Sequence, residues 1–265
     1  MTPAARLQAA IEILDLVIDS ARSEGPPADA IVARYFKTRR YAGSTDRRAV
    51  RELAFRAIRR AAECPSGGRA AILGLAEEDP GLLELFGEPR GPEPLQDGEV
   101  ASPPGIVPEW LAAELSPLVA PHEWPALVER APLDLRVNVA RAGREAMLAE
   151  FPEAEPTPLS PWGIRLPPGR RVEESDSYRD GLVEVQDEGS QLICLAREAQ
   201  PGMAVVDLCA GAGGKTLALA AEMRNDGRIL ACDTDRQRLS RLPSRAERAG
   251  ATIAETRLLD PGREA

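Results

Sequence analysis

The residues best suited to chemistry lie in one short run, Asp207-Leu208-Cys209-Ala210-Gly211-Ala212-Gly213-Gly214-Lys215-Thr216. Three glycines within four positions let a backbone approach a ligand closely and aim N–H groups at it. The ending Gly214-Lys215-Thr216 resembles a triphosphate-binding loop, but that loop needs a glycine where this chain has Cys209. A dinucleotide fingerprint needs glycine or alanine where Thr216 stands, after Gly211 and Gly213. A third possibility needs an acid at the end of the next strand to accept hydrogen bonds from a ribose. Asp233 stands there, 22 residues beyond Gly211, with Asp235 as a weaker candidate. Loop plus acid fits an adenosyl group without a triphosphate; a plain strand-to-helix turn with a polar strand end is the bland alternative.

Other chemistry is thinly represented. Cys64, Cys194, Cys209 and Cys232 show no Cys-x-x-Cys spacing, and His122 is the one histidine. That set is too small for a zinc site or a disulfide framework, so no metal is expected and the cysteines are read as buried and reduced. The net charge of −9 argues against a surface that coats nucleic acid throughout. Between Arg34 and Arg60, however, ten Lys/Arg face only Asp46 and Glu52. Such a face is either solvated or a nucleic-acid contact, and charge alone leaves both open. No apolar run approaches the ~18–20 residues of a membrane span, and Met1-Thr2-Pro3 lacks the zones of a signal peptide. A cytoplasmic protein is expected.

The elements that must hold the loop follow from periodicity. Leu7, Ile11, Leu14 and Ile18 form one stripe of a helix. A second helix opens at Ser44 or Thr45 as N-cap, buries Val50, Leu53, Ala54, Ala57 and Ile58, and turns Arg47, Arg48, Arg51, Arg56 and Arg59 outward. Gly87 to Pro108 holds six prolines and four glycines, the composition of a linker. Short helices are predicted over 109–118 and 123–130, then a strand over 135–139, a helix over 144–151 and a strand over 163–166. From Met203 onward strand, helix, strand, helix and strand alternate, the pattern of a doubly wound parallel sheet.

On these residues the chain resembles the RsmB/NOP family of RNA 5-methylcytosine methyltransferases. Asp-Leu-Cys-Ala-x-x-Gly-Gly-Lys-Thr is similar to that family's cofactor loop, although the family more often has Ala-Pro where this chain has Gly211-Ala212. Val185-Gln186-Asp187-Glu188-Gly189-Ser190-Gln191 resembles its Val-Gln-Asp-x-x-Ser-Gln motif, and Leu135-Arg136-Val137-Asn138 the strand opening its RNA-binding module. The likeness covers nearly the whole chain, strongest from Val183 to Asp235. It implies a multidomain protein: an all-α NusB-like RNA-binding section over 1–86, a linker over 87–108, a small α+β RRM-like module over 109–177, and over 178–265 the front of an α/β Rossmann-like methyltransferase sheet.

The resemblance also implies function. S-adenosylmethionine is the expected cofactor, with Cys209, Ala210, Gly211, Ala212, Gly213, Gly214 and Lys215 around its methionine end, Asp233 on the ribose and Asp260 near the adenine. The expected partner is RNA, in particular ribosomal RNA, with no membrane and no metal. Cytosine carbon 5 is a poor nucleophile until a thiolate adds to carbon 6. The family supplies such cysteines in Pro-Cys-Ser-Gly and Thr-Cys-Ser motifs after its fourth and fifth strands, and neither motif occurs here. Glu63-Cys64-Pro65-Ser66-Gly67 has the order reversed. No catalytic residue is therefore assigned; the expectation is a truncated methyltransferase, the alternative a non-catalytic RNA-binding remnant that keeps only the cofactor loop.

Overall fold

The stripe of Leu7, Ile11, Leu14 and Ile18 is buried along α1 (Pro3–Arg22). Thr2 caps this helix by accepting from the Ala5 N–H at 3.2 Å, with Pro3 in the first turn where no N–H is needed. In the computed structural model, which describes residues 1–260 and Gly262, the chain divides into two units, Met1–Glu129 and Arg130–Ala265. In the first, α2 (Ala28–Lys37), α3 (Ser44–Arg60) and α4 (Gly68–Ala76) pack with α1 around one apolar core. Val50, Ala54 and Ala57 of α3 are buried as the pattern predicts, while Leu53 and Ile58 are only partly covered. Ser44 is the first helical residue rather than the cap. The Asp46 carboxylate accepts from the Gly43 N–H at 3.3 Å and pairs with Arg6 at 2.8 Å, so the helix starts without a hydroxyl cap.

Gly87 to Pro108 has no helix or strand, yet it is stitched to the helices. Arg69 donates to the Glu93 and Pro94 carbonyls, the Ser102 N–H to Ala70 O and the Gly105 N–H to Arg60 O, all within 3.0 Å. The expected linker is thus covering for the helical unit, because its unpaired carbonyls find arginine donors there. The short helices α5 (Glu109–Ala112) and α6 (Trp124–Val128) also group with this unit, so the expected boundary at 109 moves to 129–130. No strand lies between 109 and 129 to pair with a sheet, and the Glu109 N–H donates to Glu63 at 2.9 Å.

The second unit opens with β1 (Leu133–Val137), α7 (Arg144–Glu150), β2 (Glu155–Pro156), β3 (Gly163–Leu166), α8 (Asp176–Arg179) and β4 (Val183–Val185). The strands form one antiparallel sheet in the order β2-β3-β1-β4, the split β-α-β connectivity. Strand β4 thereby completes the first sheet, although the sequence reading assigns it to the last section; Val183 lies opposite Val137, and both are buried. After α9 (Glu188–Ala196) come β5 (Ala204–Asp207), α10 (Gly214–Glu222), β6 (Arg228–Asp233), α11 (Arg236–Leu239), α12 (Leu242–Ala249) and β7 (Ala254–Leu258). Among the described residues the second sheet is three parallel strands in the order β5-β6-β7. Helical first, then mixed α/β with a parallel sheet: the coarse order agrees with the sequence reading.

Candidate functional site

The glycine loop runs from Leu208 to Gly213, between the end of β5 and the start of α10. Three of its own backbone N–H groups shape it. The Ala210 N–H donates to Cys232 O at 2.8 Å, the Gly211 N–H to Asp233 Oδ2 at 2.7 Å, and the Gly213 N–H to Ala210 O at 2.8 Å. The loop is therefore pinned to the end of β6. Gly211 and Gly213 both have positive φ, +54° and +89°, where a Cβ is disfavoured. A Cβ on Gly211 would stand 2.7 Å from an Arg238 guanidinium nitrogen, and one on Gly213 2.6 Å from Leu242 Cγ. One inference from the sequence changes here: the Gly211 N–H is committed to Asp233 and is not aimed outward.

Asp233 is the fixed point of this end of the sheet. Besides Gly211 it accepts from the Asp235 N–H through Oδ1 at 2.7 Å, and its own carbonyl accepts from the Leu259 N–H at 2.8 Å. The Asp235 and Gly211 amides hold its carboxyl below the usual range against the effect of desolvation, helped by the Arg238 charge. Each carboxylate oxygen keeps a second lone-pair direction for another donor. Asp235 spends its side chain capping α11, accepting from the Gln237 and Arg238 N–H groups at 2.8 and 3.0 Å.

A cleft of about 470 Å³ opens beside the loop. Its wall includes Asp187, Ser190, Asp207, Cys209, Lys215 and Arg238. Ala210, Ala212 and Gly214 also line it; Gly211, Gly213 and Asp233 do not, and are buried. Asp260 is exposed two residues past β7 and is not part of the wall. Cys209 and Cys64 are exposed, which corrects the expectation that all four cysteines are buried; Cys194 and Cys232 are. Leu208, the loop residue before Cys209, is exposed as well. Burial pushes the Cys194 thiol up to about 11. Among the described residues no cluster of His, Cys, Asp and Glu is fit to hold a metal, and no helix is long and apolar enough to cross a membrane.

Two further features bear on which ligand fits. The Thr216 hydroxyl, fully buried, donates to Asp207 at 2.6 Å. A triphosphate loop would need that hydroxyl on a metal ion. With Cys209 in place of the first glycine, the triphosphate reading loses both of its supports. The cleft volume is within the range of small-molecule sites, and its carboxylates Asp187 and Asp207 suit a ligand that is not polyanionic.

The Val185–Gln191 motif ties the end of β4 and the start of α9 to the first sheet. Gln186 Oε1 accepts from buried Arg136 Nε at 2.6 Å, and the Gln191 amide donates to Gln186 O at 2.9 Å and accepts from Ser160 Oγ at 2.7 Å. Asp187 caps α9 by accepting from the Ser190 N–H at 2.8 Å. Burial lowers the Arg136 pKa to about 10, with Glu184 opposing, so it stays protonated at neutral pH. Arg238 and Arg245, both in the cleft wall, were not singled out by sequence; no spacing distinguishes them from the chain's many other arginines.

Residues 194–261 match the family profile described as 16S rRNA methyltransferase RsmB/F. The chain is 34% identical over 158 residues to the ribosomal RNA small subunit methyltransferase B of Escherichia coli O6:K15:H31 (strain 536 / UPEC), and equally to that of Shigella sonnei (strain Ss046). The alignment covers 56% of this chain and 36% of each relative, so the chain spans little more than a third of their length. The crystal structure of PH0851 shares the fold over 98% of this chain and 70% of its own, with a TM-score of 0.60 at 19% identity.

Proposed function

We propose that this chain belongs to the RsmB/F family of ribosomal RNA cytosine methyltransferases, and that its glycine loop and Asp233 bind S-adenosylmethionine, the cofactor of that family, in the service of forming 5-methylcytosine in ribosomal RNA. The observation that carries the reading is the Gly211–Asp233 hydrogen bond at 2.7 Å. It joins a glycine-rich turn to an ionised acid at the carboxyl ends of adjacent parallel strands, where open α/β sheets take their ligands. Bound S-adenosylmethionine supplies an electrophilic sulfonium methyl group.

The chain's own residues then have distinct tasks. Asp233, kept ionised by the two amides, accepts from the ribose hydroxyls through its remaining lone pairs. Cys209 to Lys215 wrap the methionine end, and Asp260 is assigned to the adenine side. Asp207 is held by Thr216 at the foot of the cleft and adds negative charge opposite a sulfonium. No cysteine is assigned the nucleophile: Cys194 is a buried, poorly acidic thiol, and Cys209 belongs to the loop. Ribosomal RNA as partner is supported by the family and by the arginine-rich α3.

Calorimetry with S-adenosylhomocysteine and, separately, with Mg-ATP tests the reading. Binding of the first and not the second is expected, weakened roughly tenfold or more by Asp233→Ala, since a ligand hydroxyl loses a charged acceptor. Binding of ATP, or equal affinity of wild type and variant, overturns it.

A further inference from the structure

Strand β4 and the glycine loop are joined by one side chain. Arg245, on α12, donates through Nη1 to Ala212 O at 2.8 Å and through Nη2 to Glu184 Oε2 at 2.8 Å. Glu184 is the middle residue of β4 and its side chain is 2% exposed. Its other oxygen accepts from Arg248, which lies over the Tyr178 ring and makes no hydrogen bond to the glycine loop among the described residues. A planar guanidinium can serve two acceptors in different directions at once, which a lysine ammonium on its flexible stem does less well.

We propose that Arg245 is a positioning residue for the ligand loop, fixing the Ala212 peptide from the buried carboxylate of β4. The mechanical reason lies in the loop itself. Ala212 sits between two glycines of positive φ, the residues with the least intrinsic preference for one conformation. The bonds of Ala210, Gly211 and Gly213 fix their own N–H groups, and the Ala212 carbonyl is held by Arg245. Without that donor the Ala212 peptide can rotate, and the cleft wall formed by Ala212 and Gly214 rotates with it. The assignment rests on the cofactor reading for its functional sense, though not for its geometry.

Arg245→Ala and Arg248→Ala separate this role from mere stability, because each removes one partner of Glu184 and only the first removes a hydrogen bond to the loop. Both variants of the full chain should lose thermal stability. Arg245→Ala should weaken S-adenosylhomocysteine binding roughly tenfold, the usual worth of a charge-assisted bond, while Arg248→Ala stays within about twofold of wild type. In ligand-free protein, amide exchange over residues 208–213 should quicken in Arg245→Ala and not in Arg248→Ala. Should Arg245→Ala fail to fold, Arg245→Lys keeps a cation on Glu184 and should show an intermediate loop exchange. Equal affinities and equal loop exchange in the two alanine variants overturn the assignment. A wild-type chain that binds no S-adenosylhomocysteine sinks the cofactor reading alone, and the exchange measurement then decides the role of Arg245 by itself.

Discussion

Two alanine substitutions two residues apart in the loop should have very different costs. Gly211 and Gly213 both hold positive φ, so either alanine meets the left-handed penalty of about 1–2 kcal/mol. Alanine also loses less entropy on folding than glycine, which returns about 0.4–1 kcal/mol. The backbone share of either substitution is therefore roughly 1 kcal/mol. The surroundings differ. The new methyl at position 211 meets the far end of exposed Arg238, which can swing away; at position 213 it meets Cγ and Cδ1 of Leu242, 1% exposed and part of the core with Leu217, Ala231 and Leu239. Overpacking such a core costs a further ~1–3 kcal/mol. Gly213→Ala should therefore destabilise this unit by about 2–4 kcal/mol and Gly211→Ala by about 1. Trp162 is the one tryptophan of the second unit, so urea unfolding read by its fluorescence, with Trp110 and Trp124 replaced by Phe, isolates the measurement. Equal losses for the two alanines would show that Leu242 does not set the room at this turn.

The other expectations follow from the same geometry. Iodoacetamide at mildly alkaline pH should modify Cys64 and Cys209 and spare Cys194 and Cys232 in the native chain; peptide mapping that finds Cys194 labelled contradicts its burial. Asp233 is held below its ordinary 3.8 by two amides, and in Asp187 burial is outweighed by the hydrogen bonds of Ser190 and the charge of Lys215. Folded values below the unfolded one mean stabilisation that is complete above 3.8 and is lost as pH falls through the folded values. The Trp162 unfolding midpoint should accordingly carry the full contribution of these two groups, with no pH dependence from them, at neutral pH, and should show a decline below 3.8 that Asp233→Asn reduces; an unreduced decline argues against it. Arg56 and Arg59 are paired with Asp79 and Glu52, whereas the side chains of Arg40 and Arg48 make no hydrogen bond, ion pair or ring contact among the described residues. Replacing Arg40 and Arg48 should lower the salt slope of ribosomal RNA binding by roughly one each, and an unchanged slope removes this face from the RNA contact.

What the sequence determined by itself is what depends on neighbours along the chain. The stripe of Leu7, Ile11, Leu14 and Ile18 specifies α1, since side chains at helical spacing share a face whatever they pack against. The alternation after Met203 specifies the parallel sheet, with ends shifted by one or two residues where β5 and β7 stop pairing. The order of glycine loop and Asp233 was likewise legible, because a strand-turn-helix followed by a strand must bring the two together. The tertiary structure alone decided which partner each charged or strand-forming residue takes. Nothing in the sequence separates Arg245, bound to Glu184 and the loop, from Arg48, whose side chain has no partner among the described residues. Nor does any local signal show that β4 completes the first sheet, or that the proline-rich stretch after Gly87 lies against α3 and α4. Helical period and turn chemistry are local properties; hydrogen bonds between residues dozens of positions apart depend on where the packed elements leave donors and acceptors within reach.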